Sequence, residues 1–286
     1  MATDVQCVWP VRAMLGEGPV YDSATDALYF VDIKGMRLHR LRLGDGARDT
    51  WDMPEPIGWI APRANGHGLV AGFKSGFALL QLDPLSIRAI GAPEPDRHTN
   101  RLNDAKVDPK GRIWAGSMDD EETRESGALY RLDPSLHWAR IDDNYGVANG
   151  PTFSPTGDTL YHADSAKRVV YCFDLAAGGQ LSNKRIFVRF EDDWGYPDGM
   201  TTDADGGVWI AHWDGSRISR FAPDGALNRS ITLPVSRPTS CAFAGKDLDR
   251  MFVTSASIGR EEEPLAGALF EVNARVRGAG TFSFAG

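Results

Sequence analysis

Short runs of alternating apolar and polar residues, separated by Gly, Pro, Asp and Asn, recur from one end of the chain to the other. Alternation with a period of two is typical of half-buried β-strands, and the 3.6-residue period of amphipathic helices is nearly absent. The pattern therefore predicts an all-β fold.

Six segments share one order: an apolar strand, a polar turn, a second strand that often carries an aromatic residue, and a third strand. The second residues of the six second strands lie 41 to 48 residues apart, at Tyr29, Val70, Trp114, Tyr161, Trp209 and Phe252. Repeats of this length predict a six-bladed β-propeller with four-stranded antiparallel blades. An array of β-sandwiches is the alternative, but its strands would not keep register over six periods.

The chain has no linker-like segment, so residues 1–286 are expected to form a single propeller domain. A propeller must also close its ring without an open sheet edge. The N-terminal strand around Val5–Trp9 is expected to close it by completing the last blade.

The repeat register also predicts which residues reach the central channel, because the first strand of each blade lies along the axis. Counting back 11 or 12 residues from the six markers gives Glu17, Gly58, Asn103, Asn149, Asp198 and Ser240. Two carboxylates and two carboxamides buried without partners would be costly. One divalent cation, Ca²⁺, Mg²⁺, Mn²⁺, Fe²⁺ or Zn²⁺, would relieve that cost with oxygen ligands, and a hydrogen-bonded polar plug is the alternative.

Seven motifs resemble the regucalcin (senescence marker protein) and sugar-lactonase family, and they occur in the family's order. They are Leu15-Gly-Glu-Gly-Pro-Val20, Arg101-x-Asn-Asp-x-Lys-Val-Asp108, Gly111-Arg-x-Trp-x-Gly-x-Met118, Asn149-Gly-Pro, Leu181-Ser-Asn-Lys-Arg185, Tyr196-Pro-Asp-Gly-Met200 and Pro264-Leu-Ala-Gly267. The resemblance covers the chain from about Cys7 to Val272. It implies a six-bladed propeller with one catalytic divalent cation on the axis.

Residue by residue, the resemblance places the three cation ligands at Glu17, Asn149 and Asp198, all positions that the register also selects. It places substrate-binding residues at Arg101 and Asn103.

A Glu that contacts sugar hydroxyls in part of the family falls on Glu121, with Asp119 as the alternative, because this loop varies in the family. Asp104 adjoins Asn103, and its side chain is expected to point the other way.

The function expected from these residues is metal-dependent hydrolysis of a sugar lactone, a pentono- or hexonolactone, to the aldonic acid in sugar catabolism. The cation would polarise the carbonyl and activate water, with Asp198 as general base. A metal-dependent phosphotriesterase and a non-enzymatic calcium-binding propeller are the alternatives. The spacing of Arg101 and Asn103 suits a polyhydroxylated ligand and favours the lactone.

Composition excludes other classes of partner. The formal charge is −8, with 31 Lys and Arg against 39 Asp and Glu, and no basic run could neutralise a row of phosphates, so a nucleic-acid partner is not expected. No apolar stretch approaches the ~18 residues of a membrane span. Asp4 and Pro10 do not fit a signal peptide, so a cytoplasmic protein is expected, as a monomer or weak oligomer.

Overall fold

The computed structural model describes residues 4–286. It confirms the predicted fold class: the strands form six antiparallel sheets of four strands each, and the single helical element within residues 4–286 is a short 3₁₀ turn at Asp192–Trp194. No helix in this part of the chain is long and apolar enough to cross a bilayer.

The first three blades follow one another directly along the chain. Blade 1 comprises β2 (Gly16–Asp22), β3 (Ala27–Asp32), β4 (Arg37–Arg42) and β5 (Arg48–Asp52); blade 2 comprises β6 (Ile57–Pro62), β7 (Leu69–Phe73), β8 (Gly76–Leu82) and β9 (Leu85–Gly91). Blade 3 comprises β10 (Asn100–Val107), β11 (Ile113–Asp119), β12 (Gly127–Leu132) and β13 (Trp138–Tyr145).

The last three blades repeat this order, except that the sixth takes its outermost strand from the start of the chain. Blade 4 comprises β14 (Ala148–Phe153), β15 (Thr159–Asp164), β16 (Val169–Leu175) and β17 (Leu181–Arg189); blade 5 comprises β18 (Tyr196–Thr202), β19 (Val208–Trp213), β20 (Arg217–Phe221) and β21 (Leu227–Thr232). Blade 6 comprises β22 (Pro238–Ala244), β23 (Arg250–Ser255), β24 (Leu269–Val272) and β1 (Val5–Trp9). The pairing of β1 with β24 joins the two ends of the propeller.

The innermost strands of neighbouring blades contact one another in a closed ring, in the order β2, β6, β10, β14, β18 and β22. Apolar clusters fill the spaces between successive blades, and they contain the bulky buried side chains of Trp59, Trp114 and Trp209. Burial of this apolar surface is the main force that holds the blades together.

An Asp–Trp pair fixes the turn between the first two strands in blades 3 and 5. The indole nitrogen of Trp114 donates to Asp108 at 2.9 Å, and that of Trp209 donates to Asp203 at 2.8 Å. In both pairs the Asp precedes the Trp by six residues, and its carboxylate also accepts backbone N–H groups of the turn. These buried carboxylates are therefore fully occupied by structural hydrogen bonds.

The segment after β24 forms backbone hydrogen bonds with blades 2, 3 and 5; in blade 5 the N–H of Ala279 donates to the carbonyl oxygen of Thr202 at 3.0 Å. Phe284 is fully buried, and its backbone pairs with Pro62 and Ala64 of blade 2. The next residue, Ala285, donates its N–H to Gly111 in blade 3. The C-terminal segment thus connects blades that are far apart in the sequence.

Candidate functional site

Every innermost strand has a register shift near the position that the repeat predicted for the axis. In β2, β10, β14 and β18 the shift falls after Glu17, Leu102, Asn149 and Pro197, and β6 and β22 have equivalent irregularities. A bulge of this kind bends a strand and redirects one side chain. The bulges therefore turn residues of different blades into one space.

Glycine makes two of these bulges possible. Gly18 and Gly150 follow Glu17 and Asn149 with φ angles of 53° and 41°, in the left-handed region that favours glycine. A Cβ on Gly150 would also lie 2.9 Å from the backbone nitrogen of Met200. The Gly residues in these two motifs are therefore required by backbone geometry.

A cavity of about 430 Å³ lies where these side chains meet. Its lining consists of Leu15, Glu17, Arg101, Asn103, Met118, Glu122, Val147, Asn149, Ser165, Ala166, Tyr196, Asp198 and Trp213. Of the six residues predicted to bind the cation or the substrate, all but Glu121 are in this set. The three predicted cation ligands, Glu17, Asn149 and Asp198, are each only 5% exposed. The cavity combines an apolar wall with a few buried polar groups, as small-molecule sites commonly do.

Two carboxyl groups face each other in this cavity. Glu17 and Asp198 both line it, and Oδ1 of Asp198 is buried without a hydrogen-bond partner among residues 4–286. Burial and the nearby charge of Asp104 raise the pKa of Glu17. Burial together with the charges of Glu17 and Asp104 raises the pKa of Asp198 well above its ordinary value. Without a cation, both carboxyls therefore keep their protons to a higher pH than exposed carboxyls do.

Asp104 lies on the other side of this layer, as the sequence predicted. Its carboxylate accepts the backbone N–H of Gly150 at 3.0 Å and that of Ala105 at 2.7 Å. It lines a second space of about 70 Å³, which Lys106 also lines and which residues 278–282 border. Asp104 therefore adds negative charge behind the cavity while its oxygens hold the backbone beside Asn149.

The donor set fits a hard divalent cation. It offers the carboxylate oxygens of Glu17 and Asp198, one oxygen of which has no partner, and the carboxamide oxygen of Asn149. Among residues 4–286, no group of three His, Cys, Asp or Glu side chains could hold a metal ion. The set described here has two carboxylates and an amide, all oxygen donors, which is the chemistry that Ca²⁺, Mg²⁺ and Mn²⁺ prefer.

Arg101 and Asn103 form the polar wall beside these groups. Nη1 of Arg101 donates to Oδ1 of Asn103 at 2.5 Å, and Nδ2 of Asn103 donates to Oδ1 of Asn149 at 2.8 Å. Within the described chain, Nη2 of Arg101 has no hydrogen-bond partner. Arg101 therefore keeps donors free for a ligand in the cavity.

Asp120 holds Arg101 in place, and sequence reasoning missed it. Its Oδ1 accepts Nε of Arg101 at 2.6 Å and Nζ of Lys34 at 2.8 Å. Burial raises the pKa of Asp120, but Lys34 and Arg101 outweigh it and lower that pKa overall. Lys34 comes from the turn after β3, so this ion pair joins blade 1 to blade 3 beside the cavity.

The two residues that the sequence offered for contact with sugar hydroxyls, Glu121 and Asp119, are not part of the cavity lining. Glu121 is exposed, and the residue of its loop that lines the cavity is Glu122. Asp119 is buried, and its Oδ2 accepts the N–H and the hydroxyl of Thr123 at 3.0 and 2.8 Å. A role for Glu121 in substrate binding stays a prediction.

Comparison with known proteins agrees with the fold and the motifs. The chain is 35% identical to regucalcin from Oryctolagus cuniculus over 295 residues, which covers 99% of this chain and 98% of the relative. It is also 35% identical to 6-deoxy-6-sulfogluconolactonase from Pseudomonas putida over 293 residues, which covers 100% of both chains. Both alignments extend over essentially the whole chain.

A solved structure is also similar to this chain over nearly its whole length. The crystal structure of a calcium-binding protein, regucalcin from Agrobacterium tumefaciens, matches with a TM-score of 0.90 and 25% identity, covering 98% of this chain and 96% of that one. The family model described as SMP-30/Gluconolactonase/LRE-like region matches residues 15–257. The resemblance inferred from the motifs is thereby confirmed, and the chain belongs to the SMP-30/gluconolactonase/LRE-like family, which includes sugar lactonases.

Proposed function

We propose that this protein hydrolyses a sugar-acid lactone to the aldonic acid in sugar catabolism, and that a divalent cation held by Glu17, Asn149 and Asp198 is required. The observation that carries the proposal is the convergence of two buried carboxyls and an oriented carboxamide beside the free donors of Arg101. The family and the sulfogluconolactonase relative support the lactone as substrate. The cytoplasmic location expected from the N-terminal residues stays a prediction.

When bound, the cation supplies Lewis-acid polarisation of the lactone carbonyl and lowers the pKa of a nearby water molecule. Asp198 supplies the proton transfer, because its Oδ1 is buried in the cavity without a partner. It accepts a proton from the attacking water as the new C–O bond forms. It returns that proton to the ring oxygen as the ester C–O bond breaks, so that lactone and water give the open hydroxy acid.

Arg101 and Asn103 orient the ring. The free N–H groups of Arg101 can donate to two neighbouring oxygens of a sugar. The apolar wall of Leu15, Tyr196 and Trp213 packs against the carbon skeleton and limits the water in the cavity. The substrate is thereby held with its carbonyl towards Asn149 and Asp198.

The test is pH-indicator hydrolysis of a panel of pentono- and hexonolactones by chelator-stripped protein, refilled with each divalent cation in turn and corrected for spontaneous opening. The proposal expects cation-restored turnover with a preference among lactones. An aryl phosphotriester belongs in the same panel, because the same cation would polarise a phosphoryl oxygen. A higher kcat/KM for the phosphotriester, or lactone turnover indifferent to stripping, would refute the proposal.

A further inference from the structure

Ser165 contacts the strands of two proposed cation ligands. It lies just after β15 and is 8% exposed. Its hydroxyl donates to the carbonyl oxygen of Pro197 at 2.5 Å, next to Asp198 on β18, and its Oγ accepts Nδ2 of Asn149 at 3.0 Å, on β14. One hydroxyl thus bridges blades 4 and 5 inside the cavity.

The proton of this hydroxyl determines the orientation of Asn149. A carbonyl oxygen can only accept, so the single hydroxyl proton of Ser165 is committed to Pro197. The atom of Asn149 that faces Oγ must then be a donor, which is the amide nitrogen. The carboxamide oxygen is consequently held at the other end of the amide.

The opposite side of Asn149 imposes the same orientation. Arg101 donates to Oδ1 of Asn103, which leaves Nδ2 of Asn103 to donate to Oδ1 of Asn149. A reversed Asn149 amide would place two donors face to face at Asn103 and two acceptors face to face at Ser165. Since an amide oxygen has two lone pairs, Oδ1 of Asn149 retains one beyond the bond from Asn103.

We propose that Ser165 is a positioning residue that holds the carboxamide of Asn149 with its oxygen towards the cation, and that ties the strand of Asn149 to the strand of Asp198. This inference rests on the proposed function, because it assumes that a cation occupies the site. Outer partners that orient a metal ligand commonly contribute a factor of about 10 to 100 in metal affinity.

The experiment is calorimetric titration of Ca²⁺ and Mn²⁺ into chelator-stripped protein, alongside thermal denaturation of the same stripped samples. Ser165→Ala removes the hydroxyl and should raise the cation Kd about 10-fold or more. Ser165→Thr keeps the hydroxyl that both bonds use, so it should restore the Kd to within about threefold of the parent.

Ser219→Ala is the matched control. Ser219 is fully buried in blade 5 outside the cavity, and its hydroxyl bonds to that of Ser230 at 2.8 Å. This variant reports the cost of losing a buried hydroxyl, so its melting temperature should fall while its cation Kd stays at the parental value.

Parental cation affinity in Ser165→Ala, or equal weakening in Ser165→Ala and Ser165→Thr, would overturn the inference and leave the proposed function intact. No measurable cation binding by the parent protein would overturn the cation site and this inference together. The two failures are therefore distinguishable without any measurement of turnover.

Discussion

Replacement of Asp120 by Asn tests whether Arg101 must be held in one orientation to bind substrate. The change keeps the shape of the side chain but removes the charge that Arg101 and Lys34 share. The Arg101 side chain is only 4% exposed, so its guanidinium would lose its carboxylate partner in a largely buried place.

The expected size of the effect follows from this burial. Removing one partner of a fully buried ion pair costs about 3 to 5 kcal/mol. The Asp120 side chain is 21% exposed and Asn retains one acceptor oxygen, so we expect a smaller loss, about 2 kcal/mol. If that energy appears in substrate binding, KM for the lactone rises about 30-fold with little change in kcat.

The assay is steady-state lactone hydrolysis at saturating cation, with urea denaturation of each variant. Asp133→Asn is the control, because Asp133 is a 30%-exposed carboxylate that pairs with Arg131 at 2.8 Å and does not line the cavity. It should lose stability without a change in KM. An unchanged KM in Asp120→Asn, at a stability loss like that of the control, would refute the orienting role of Asp120.

Three further predictions concern the axial charge, the buried histidines and the C-terminal segment. Glu17→Gln should weaken cation binding about 100-fold by calorimetry, because it removes one carboxylate ligand. It should also raise the melting temperature of cation-free protein, because burial and the charge of Asp104 disfavour the ionised Glu17 side chain that the unfolded chain carries without penalty; a lower melting temperature would contradict this. Burial lowers the pKa of His162 to about 3, so protonation favours the unfolded chain. Stability should therefore fall as the pH drops from about 6.5 towards 3. In urea denaturation, His162→Gln should remove about 1.4 kcal/mol per pH unit from the slope of stability against pH. The exposed-site variant His67→Gln should not remove it. Phe284→Ala should cost about 3 to 5 kcal/mol of unfolding free energy, because Phe284 is fully buried. Phe282→Ala should cost far less, because Phe282 is 39% exposed. Equal losses would show that the C-terminal segment does not hold the blades together.

The repeat made the fold and the axial residues predictable. A register shift at the same place in each innermost strand brings equivalent sequence positions to the same layer of the channel, so counting back from the markers selected Glu17, Asn149 and Asp198 together. Gly18 and Gly150 directly follow two of these residues and mark the same positions in the sequence, because these bulges need a residue with a positive φ.

Residues outside the repeat could not be found in this way. Three such residues, Asp120, Lys34 and Ser165, lie beyond the ends of strands. Loop lengths differ between blades there, so the repeat does not align their positions. Residues 119–122 are four consecutive acidic residues. Their spacing alone does not show that Asp120 contacts Arg101 and that Glu122 lines the cavity. Ser165 could have been identified only as a polar residue that directly follows the second strand of its blade.

Anomalous difference density from crystals of chelator-stripped protein soaked with Mn²⁺ would show directly whether a cation binds on the propeller axis. We expect one strong peak on the propeller axis, bound by carboxylate oxygens of Glu17 and Asp198 and by Oδ1 of Asn149. A peak at other residues, or contact with the amide nitrogen of Asn149, would contradict it.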